Sequence, residues 1–266
     1  MTAKVVLVTG ASSGIGAACA DRLHATGWTV VGASRRGTSG GTWRPATVDV
    51  DDDASVTACV DEVLAEHGRL DAVVAAAGWG LAGAAERTPI ADARAQFETN
   101  FWGAVRTVDA VLPTMRAQGS GRIVLMSSIG GQIAIPFQAF YSASKFALEG
   151  YGEALAYEVA PFGVQVTLVQ PGNFATGFTA ARSTVASAPD DPYASAATNA
   201  IAQMARDEAG GAPPDAVAAA VTKVLAAARP ARRVSVGPAG ERAGLVAKRL
   251  LPHRLFERAA RSSLGV

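Results

Sequence analysis

Lys4-Val5-Val6-Leu7-Val8-Thr9-Gly10-Ala11-Ser12-Ser13-Gly14-Ile15-Gly16 opens the chain with an apolar run that stops at a glycine-rich turn. No polar residue interrupts Val5 to Val8, so the run reads as a short strand buried on both faces. An alanine-rich helix pattern follows from Ala17 to about Ala25. Strand, turn and helix together predict a phosphate cradle holding Gly10, Ser12, Ser13, Gly14, Ile15 and Gly16. The glycines permit tight backbone geometry, and the helix N-terminus offers free N–H groups and a positive dipole end. The spacing Gly-x-x-x-Gly-x-Gly differs from the commoner Gly-x-Gly-x-x-Gly, and the Gly-Lys-Ser/Thr ending of a nucleotide-hydrolysing loop is missing.

The alternation continues down the chain. Apolar runs at 5–8, 29–32, 46–48, 72–76, 123–126, 164–169 and 234–236 predict seven parallel strands. Helix-length segments fall between them, at 53–67, 92–118, 139–160 and 214–228, with Gly27, Gly68, Gly119 and Gly163 where helices should stop. The expected fold is α/β: a Rossmann-like, doubly wound, seven-stranded parallel sheet with helices on both faces. Its ligand should lie outside the carboxyl ends of the strands. One domain spanning residues 1–266 is expected. Two stretches depart from the alternation. Residues 177–213, rich in Ala, Ser and Pro, predict a lid with one or two short helices. Residues 241–266 set Leu245, Leu250, Leu251, Leu255 and Phe256 among Lys248, Arg249, Arg254, Arg258 and Arg261. This predicts a helical extension that packs its apolar stripe on the body and makes no membrane contact.

A net charge of +1 in 266 residues, with no basic stripe interleaved by aromatics, argues against nucleic acid as a partner. Cys19 and Cys59 fall in helix patterns and predict two buried, reduced thiols. His24, His67 and His253 are isolated, so no metal set is expected. The first strand begins at once, leaving no room for a signal peptide, and no apolar run is long enough to cross a bilayer; a cytoplasmic location is expected.

A second constellation carries the chemistry. In Tyr141-Ser142-Ala143-Ser144-Lys145, residues four apart share one helix face and set an ammonium beside a phenol. A phenol with an ordinary pKa of about 10 is a poor acid–base catalyst near neutrality, and a neighbouring cation should bring it down. Ser128, thirteen positions upstream and just past an apolar run, could hold a substrate oxygen against that phenol.

Together these residues resemble the short-chain dehydrogenase/reductase family in its short single-domain branch, over Thr9 to about Gly237. Thr9-Gly10-x-x-x-Gly14-Ile15-Gly16 matches the family's cofactor turn, and Asp49-Val50 its adenine-contacting pair. Asn100, Ser128, Tyr141 and Lys145 match its four catalytic positions. Pro171-Gly172-x-x-x-Thr176, with Phe174 inside it, matches the segment flanking the nicotinamide. The resemblance implies that Tyr141 gives or takes the substrate's proton, Ser128 orients the oxygen, Lys145 binds the nicotinamide ribose, and Asn100 holds a water linked to Lys145. One departure stands out: the family's Asn-Asn-Ala-Gly is Ala75-Ala76-Ala77-Gly78 here, so another group must satisfy that backbone.

The family's NAD-selecting aspartate would fall at Ser34, eighteen positions after Gly16, and Arg35 and Arg36 follow it. A hydroxyl with guanidinium groups suits a 2′-phosphate, so NADP is the expected cofactor. Trp79, Leu81, residues 129–137, Phe174 and Phe178 are the expected substrate wall. They imply a hydrophobic ketone, aldehyde or alcohol, of the kind handled by steroid- or retinoid-handling members. A carbonyl reductase or alcohol dehydrogenase is the leading expectation. A non-catalytic NADP(H) sensor and a nucleotide-sugar epimerase or dehydratase are the alternatives. A homodimer or homotetramer through the helices at 92–118 and 139–160 is expected.

Overall fold

The computed structural model describes residues 3–38, 41–188 and 190–263; residue 189 of the expected lid and residues 264–266 of the expected extension lie outside them. Nine strands are described: β1 (Val5–Thr9), β2 (Thr29–Ser34), β3 (Arg44–Thr47), β4 (Ala72–Ala75), β5 (Leu81–Ala82), β6 (Gly121–Met126), β7 (Val164–Pro171), β8 (Ser183–Thr184) and β9 (Arg233–Val236). Seven form one parallel sheet in the order β3-β2-β1-β4-β6-β7-β9. This is the Rossmann-like α/β fold read from the sequence. The order reverses between β1 and β4, the switch point where a doubly wound sheet opens a crevice.

Alternate residues of β1 feed two cores, as the period of a strand requires. Val5 and Leu7 pack with Val56, Val60, Val108 and Leu155 on one face; Val6 and Val8 pack with Cys19, Leu23, Val217 and Val221 on the other. The first face is covered by α2 (Asp53–His67), α4 (Gly103–Gln118) and α5 (Ala139–Glu158), the second by α1 (Gly14–Ala25) and α8 (Asp215–Ala226). Helices α2 and α4 end at Gly68 and Gly119, whose φ of 66° and 65° is left-handed backbone that favours glycine. Both cysteines are buried and unpaired, and burial pushes their thiols up to about 12 for Cys19 and about 11 for Cys59.

Three expectations need correction. The single helix expected over 92–118 is instead α3 (Ile90–Phe97), a π-helical turn (Glu98–Trp102) and α4. The extra residue in that turn sits where Asn100, 1% exposed, is held by tertiary bonds that helix periodicity does not reveal. Within 177–213 the chain forms α6 (Phe178–Ala181), β8 and a longer helix, α7 (Ala194–Ala209). The C-terminal stretch forms α9 (Ala239–Leu250) and α10 (His253–Ser263), and its apolar stripe is only partly covered: Leu245 and Phe256 are half-buried, whereas Leu250, Leu251 and Leu255, and Val246 beside them, are exposed. The cause is which side of α9 holds the polar anchors. Glu241 and Lys248 reach inward to Asn173 and Gln132, turning the apolar ridge outward. No helix among the described residues is long and apolar enough to cross a membrane.

Candidate active site

The carboxyl ends of β1, β2, β4, β6 and β7 surround one cleft of about 1500 Å³. At its floor, the first residues of α1 meet the end of β4. A Cβ on Gly16 would stand 2.3 Å from the Gly10 carbonyl oxygen, and one on Gly10 would stand 2.8 Å from Ala77 N. Neither position admits a side chain, so the turn is drawn tight against the 76–78 segment and its backbone faces the cleft. A threonine of the motif itself holds the 76–77 backbone. Thr9, 2% exposed, accepts hydrogen bonds at Oγ1 from Ala76 N (3.1 Å) and Ala77 N (3.3 Å).

Along one side lie Gly10, Ser12, Ser13, Gly14, Ile15, Gly16, Ser34, Arg35, Arg36, Asp49, Val50, Ala76, Ala77 and Gly78. Pro171, Gly172, Phe174 and Thr176 close that side from β7. Every residue that the sequence assigned to the cofactor therefore borders the same cleft. The residues fit a nicotinamide dinucleotide. The cradle's close backbone leaves space for phosphate, and Ser34 Oγ is buried with no protein partner among the described residues. Arg36 Nη2 donates to Ser12 Oγ at 2.9 Å, which joins the end of β2 to the glycine turn.

Ser128, Tyr141 and Lys145 border the cleft where this side meets an apolar half. Ser128 lies two residues past β6 and caps the next 3₁₀ turn, accepting from Gly130 N at 2.9 Å while its hydroxyl donates to Pro171 O at 3.3 Å. Tyr141 and Lys145 stand one turn apart on α5. Lys145 Nζ lies 5.9 Å from the Tyr141 ring centroid and donates to Met126 O at 2.9 Å. Burial pulls the Lys145 ammonium down to about 8, opposed by Glu149. Tyr141 goes the other way from the sequence expectation: burial holds its phenol above the ordinary value, and the nearby Ser128 hydroxyl only partly offsets this. Desolvation of a phenolate outweighs the help of neighbouring groups in so enclosed a position.

Asn100 does not border the cleft; it stands one layer behind. Its Oδ1 accepts from Trp79 N at 3.0 Å, and its Nδ2 donates to Trp79 O at 3.0 Å and to Ser144 Oγ at 3.4 Å. A Cβ on Gly78 would meet Asn100 Oδ1 at 3.0 Å and Lys145 Nζ at 3.7 Å, so the amide and the ammonium flank the same glycine. Gln96 Nε2 also donates to Trp79 O, at 2.8 Å.

The apolar half is walled by Trp79, Ile129, Ile133, Ala134, Ile135, Pro136, Phe174 and Phe178. The Phe178 ring meets Tyr141 edge-on at 5.8 Å. Gly131, Gln132 and Phe137 of the expected 129–137 stretch, and Leu81, are not part of it: Leu81 is buried in β5 opposite Ser183 of β8. Missed by sequence reasoning were Gln203, Met204, Asp207 and Glu208 of α7, together with Gly244, Ala247, Leu251, Phe256 and Ala260 of the C-terminal segment, all of which border the cleft. Glu208 is tied to Thr179 and to the buried Arg182, which pins α7 to α6. The amphipathic spacing of α7 was the available signal. No group of metal-ligating side chains occurs among the described residues.

Comparisons with known proteins agree with this geometry. A family model described as short chain dehydrogenase matches residues 4–186. A 3-ketodihydrosphingosine reductase of Bacteroides thetaiotaomicron is 40% identical over 263 residues, 98% of each chain. Human 17-beta-hydroxysteroid dehydrogenase type 1 is 38% identical over 195 residues, 67% of this chain and 59% of that protein. A crystal structure of a short-chain dehydrogenase from Streptomyces avermitilis superposes with a TM-score of 0.83 at 34% identity, covering 100% of this chain and 97% of the other. The chain is an oxidoreductase of the short-chain dehydrogenase family.

Proposed function

We propose that this protein is an NADP(H)-dependent reductase of long, hydrophobic ketones. One observation carries the reading: Ser128, Tyr141 and Lys145 stand where the dinucleotide side of the cleft gives way to an apolar half that runs on to α9 and α10. The similar reductase of Bacteroides thetaiotaomicron, named for a 3-keto lipid, supports a ketone of this class. So does the absence of Lys or Arg from the apolar half's border among the described residues.

The cradle residues would hold a reduced nicotinamide dinucleotide, which would supply the hydride. Ser128 holds the ketone oxygen, and Tyr141 Oη donates its proton to that oxygen as it gains charge. Burial keeps the phenol protonated at neutral pH, the form a proton donor needs. Lys145, an ammonium below about pH 8, opposes the negative charge left on the phenol and binds the ribose. Asn100 positions Trp79 and Gly78 behind the reacting groups. The unpaired Ser34 hydroxyl, with Arg35 and Arg36 beside it, receives a 2′-phosphate, which selects NADP over NAD. Exposed Trp102, Phe146 and Tyr157, close to α4 and on α5, support self-association through that face.

The test is a series of ketones of increasing alkyl length, followed by NADPH absorbance, with NADH as the control. Burying each methylene is worth about 0.8 kcal/mol, so kcat/KM should climb about fourfold per carbon until the apolar half is full. A flat dependence on chain length, or equal use of NADH, contradicts the proposal.

A further inference from the structure

Helices α9 and α10 carry a surface that ketone reduction does not use. Val246 and Leu250 on α9 are 56% and 77% exposed, and being four residues apart they form one ridge. Leu255 continues it beyond the bend at 52% exposure, while Leu251 between them borders the cleft. Arg242 and Arg249 flank the ridge, and Arg254, Arg258 and Arg261 repeat along one stripe of α10. Arg242, Arg254, Arg258 and Arg261 are exposed and have no acidic partner among the described residues. Residues 241–263 hold six Lys or Arg against two Glu, whereas the rest of the chain holds 18 cations against 21 carboxylates, a net of −3.

The other side of the same segment is fixed to the catalytic body. Glu241 accepts from Asn173 N at 3.0 Å and from Asn173 Nδ2 at 2.7 Å, beside the end of β7. Lys248 donates to Gln132 O and lies 5.0 Å from the Phe146 ring centroid. Ala247 and Phe256 face the cleft itself. The segment is thus an outer wall of the cleft, greasy and cationic on its exposed side.

We propose that α9 and α10 dock the protein on an anionic lipid bilayer, with the leucine ridge in the headgroup boundary and the arginines on lipid phosphates. Charge favours this occupant over a second copy of the chain, because an isologous contact would set the same unpaired arginines against one another. Docking gives the lipid-like ketone of the preceding proposal a path into the cleft from the bilayer. It is read by binding alone, so it stands or falls separately from turnover.

The full-length chain is sedimented with vesicles of equal parts phosphatidylglycerol and phosphatidylcholine, and with phosphatidylcholine alone, at low and high salt. The expected result is binding to the anionic vesicles that weakens with salt. Neutralising three positions (R242Q, R254Q and R258Q together) should cut the partition coefficient by about 100-fold. The double variant V246D/L250D should also bind poorly while keeping the wild-type unfolding midpoint. Wild-type protein left in the supernatant with anionic vesicles overturns the proposal, as do variants that bind like wild type. A V246D/L250D variant that converts a dimer to a monomer in light scattering also overturns it, assigning the ridge to a second copy. Vesicle binding without reduction of any ketone would instead remove the functional proposal and leave docking standing.

Discussion

Thr9→Val removes one oxygen atom and little volume, which makes it a sharp probe of how the backbone after the fourth strand is held against the glycine turn. Thr9 Oγ1 accepts from two backbone amides, Ala76 N and Ala77 N, and the residue is 2% exposed. Valine would leave both amides without that partner, and each buried unsatisfied N–H costs about 1–3 kcal/mol. Because Ala76 and Ala77 are only half-buried at the cleft's edge and one bond is long at 3.3 Å, the lower part of that range applies, for a total of about 2–4 kcal/mol. With an unfolding entropy of about 2.1 cal/mol/K per residue over 266 residues, Tm should fall by about 4–7 °C. Thr9→Ser keeps the oxygen and loses one methyl, so it should cost about 1 kcal/mol. Urea unfolding followed by circular dichroism measures both. The dinucleotide should also bind more weakly to the valine variant, since a Cβ on Gly10 would approach Ala77 N to 2.8 Å and the segment has no slack. If Thr9→Val unfolds like wild type, or if the serine variant is as damaged as the valine one, the hydroxyl is not what satisfies this backbone.

Two further predictions concern charge. Ser34→Asp puts a carboxylate where a 2′-phosphate is proposed to sit and removes a hydroxyl donor, so the NADPH Kd should rise about 10–100-fold while NADH binding tightens; fluorescence titration with each cofactor reads the ratio. The folded-state pKa of Lys145 is about 8 against an ordinary 10.5, so the unfolded chain binds the extra proton between those values and this group makes stability rise with pH across that window. Lys145→Met should flatten that part of the stability–pH curve and abolish turnover; an unchanged slope would remove Lys145 as its source.

Much of this was legible in the sequence, for particular reasons. The first strand and its glycine turn could be read because burial on both faces excludes polar residues, and because crowding at Gly10 and Gly16 excludes side chains. The spacing of Ser128, Tyr141 and Lys145 survives folding because one strand end and one helix turn fix it. The π turn at 98–102 was not legible, since no glycine or proline lies within it and Gly103 after it keeps helical backbone; it forms where Asn100 grips the Trp79 backbone, a contact between separate segments of the chain. The direction of the Tyr141 shift was missed for a similar reason. A neighbouring lysine can be seen in a sequence, but the enclosure that outweighs it is a property of the whole cleft. The exposed ridge of α9 was read as packed because an apolar stripe shows only that a helix has two sides. Which side faces the body is set by Glu241 and Lys248 finding partners at Asn173 and Gln132.

The most direct test of the whole account is Tyr141→Phe, assayed in parallel for NADPH affinity and for ketone turnover. The ring and its packing against Phe178 are kept and only the proton donor is lost. NADPH should bind within about twofold of wild type while turnover falls by about 10²–10⁴-fold, the usual contribution of a positioned general acid. Turnover within tenfold of wild type would mean that the proton comes from elsewhere.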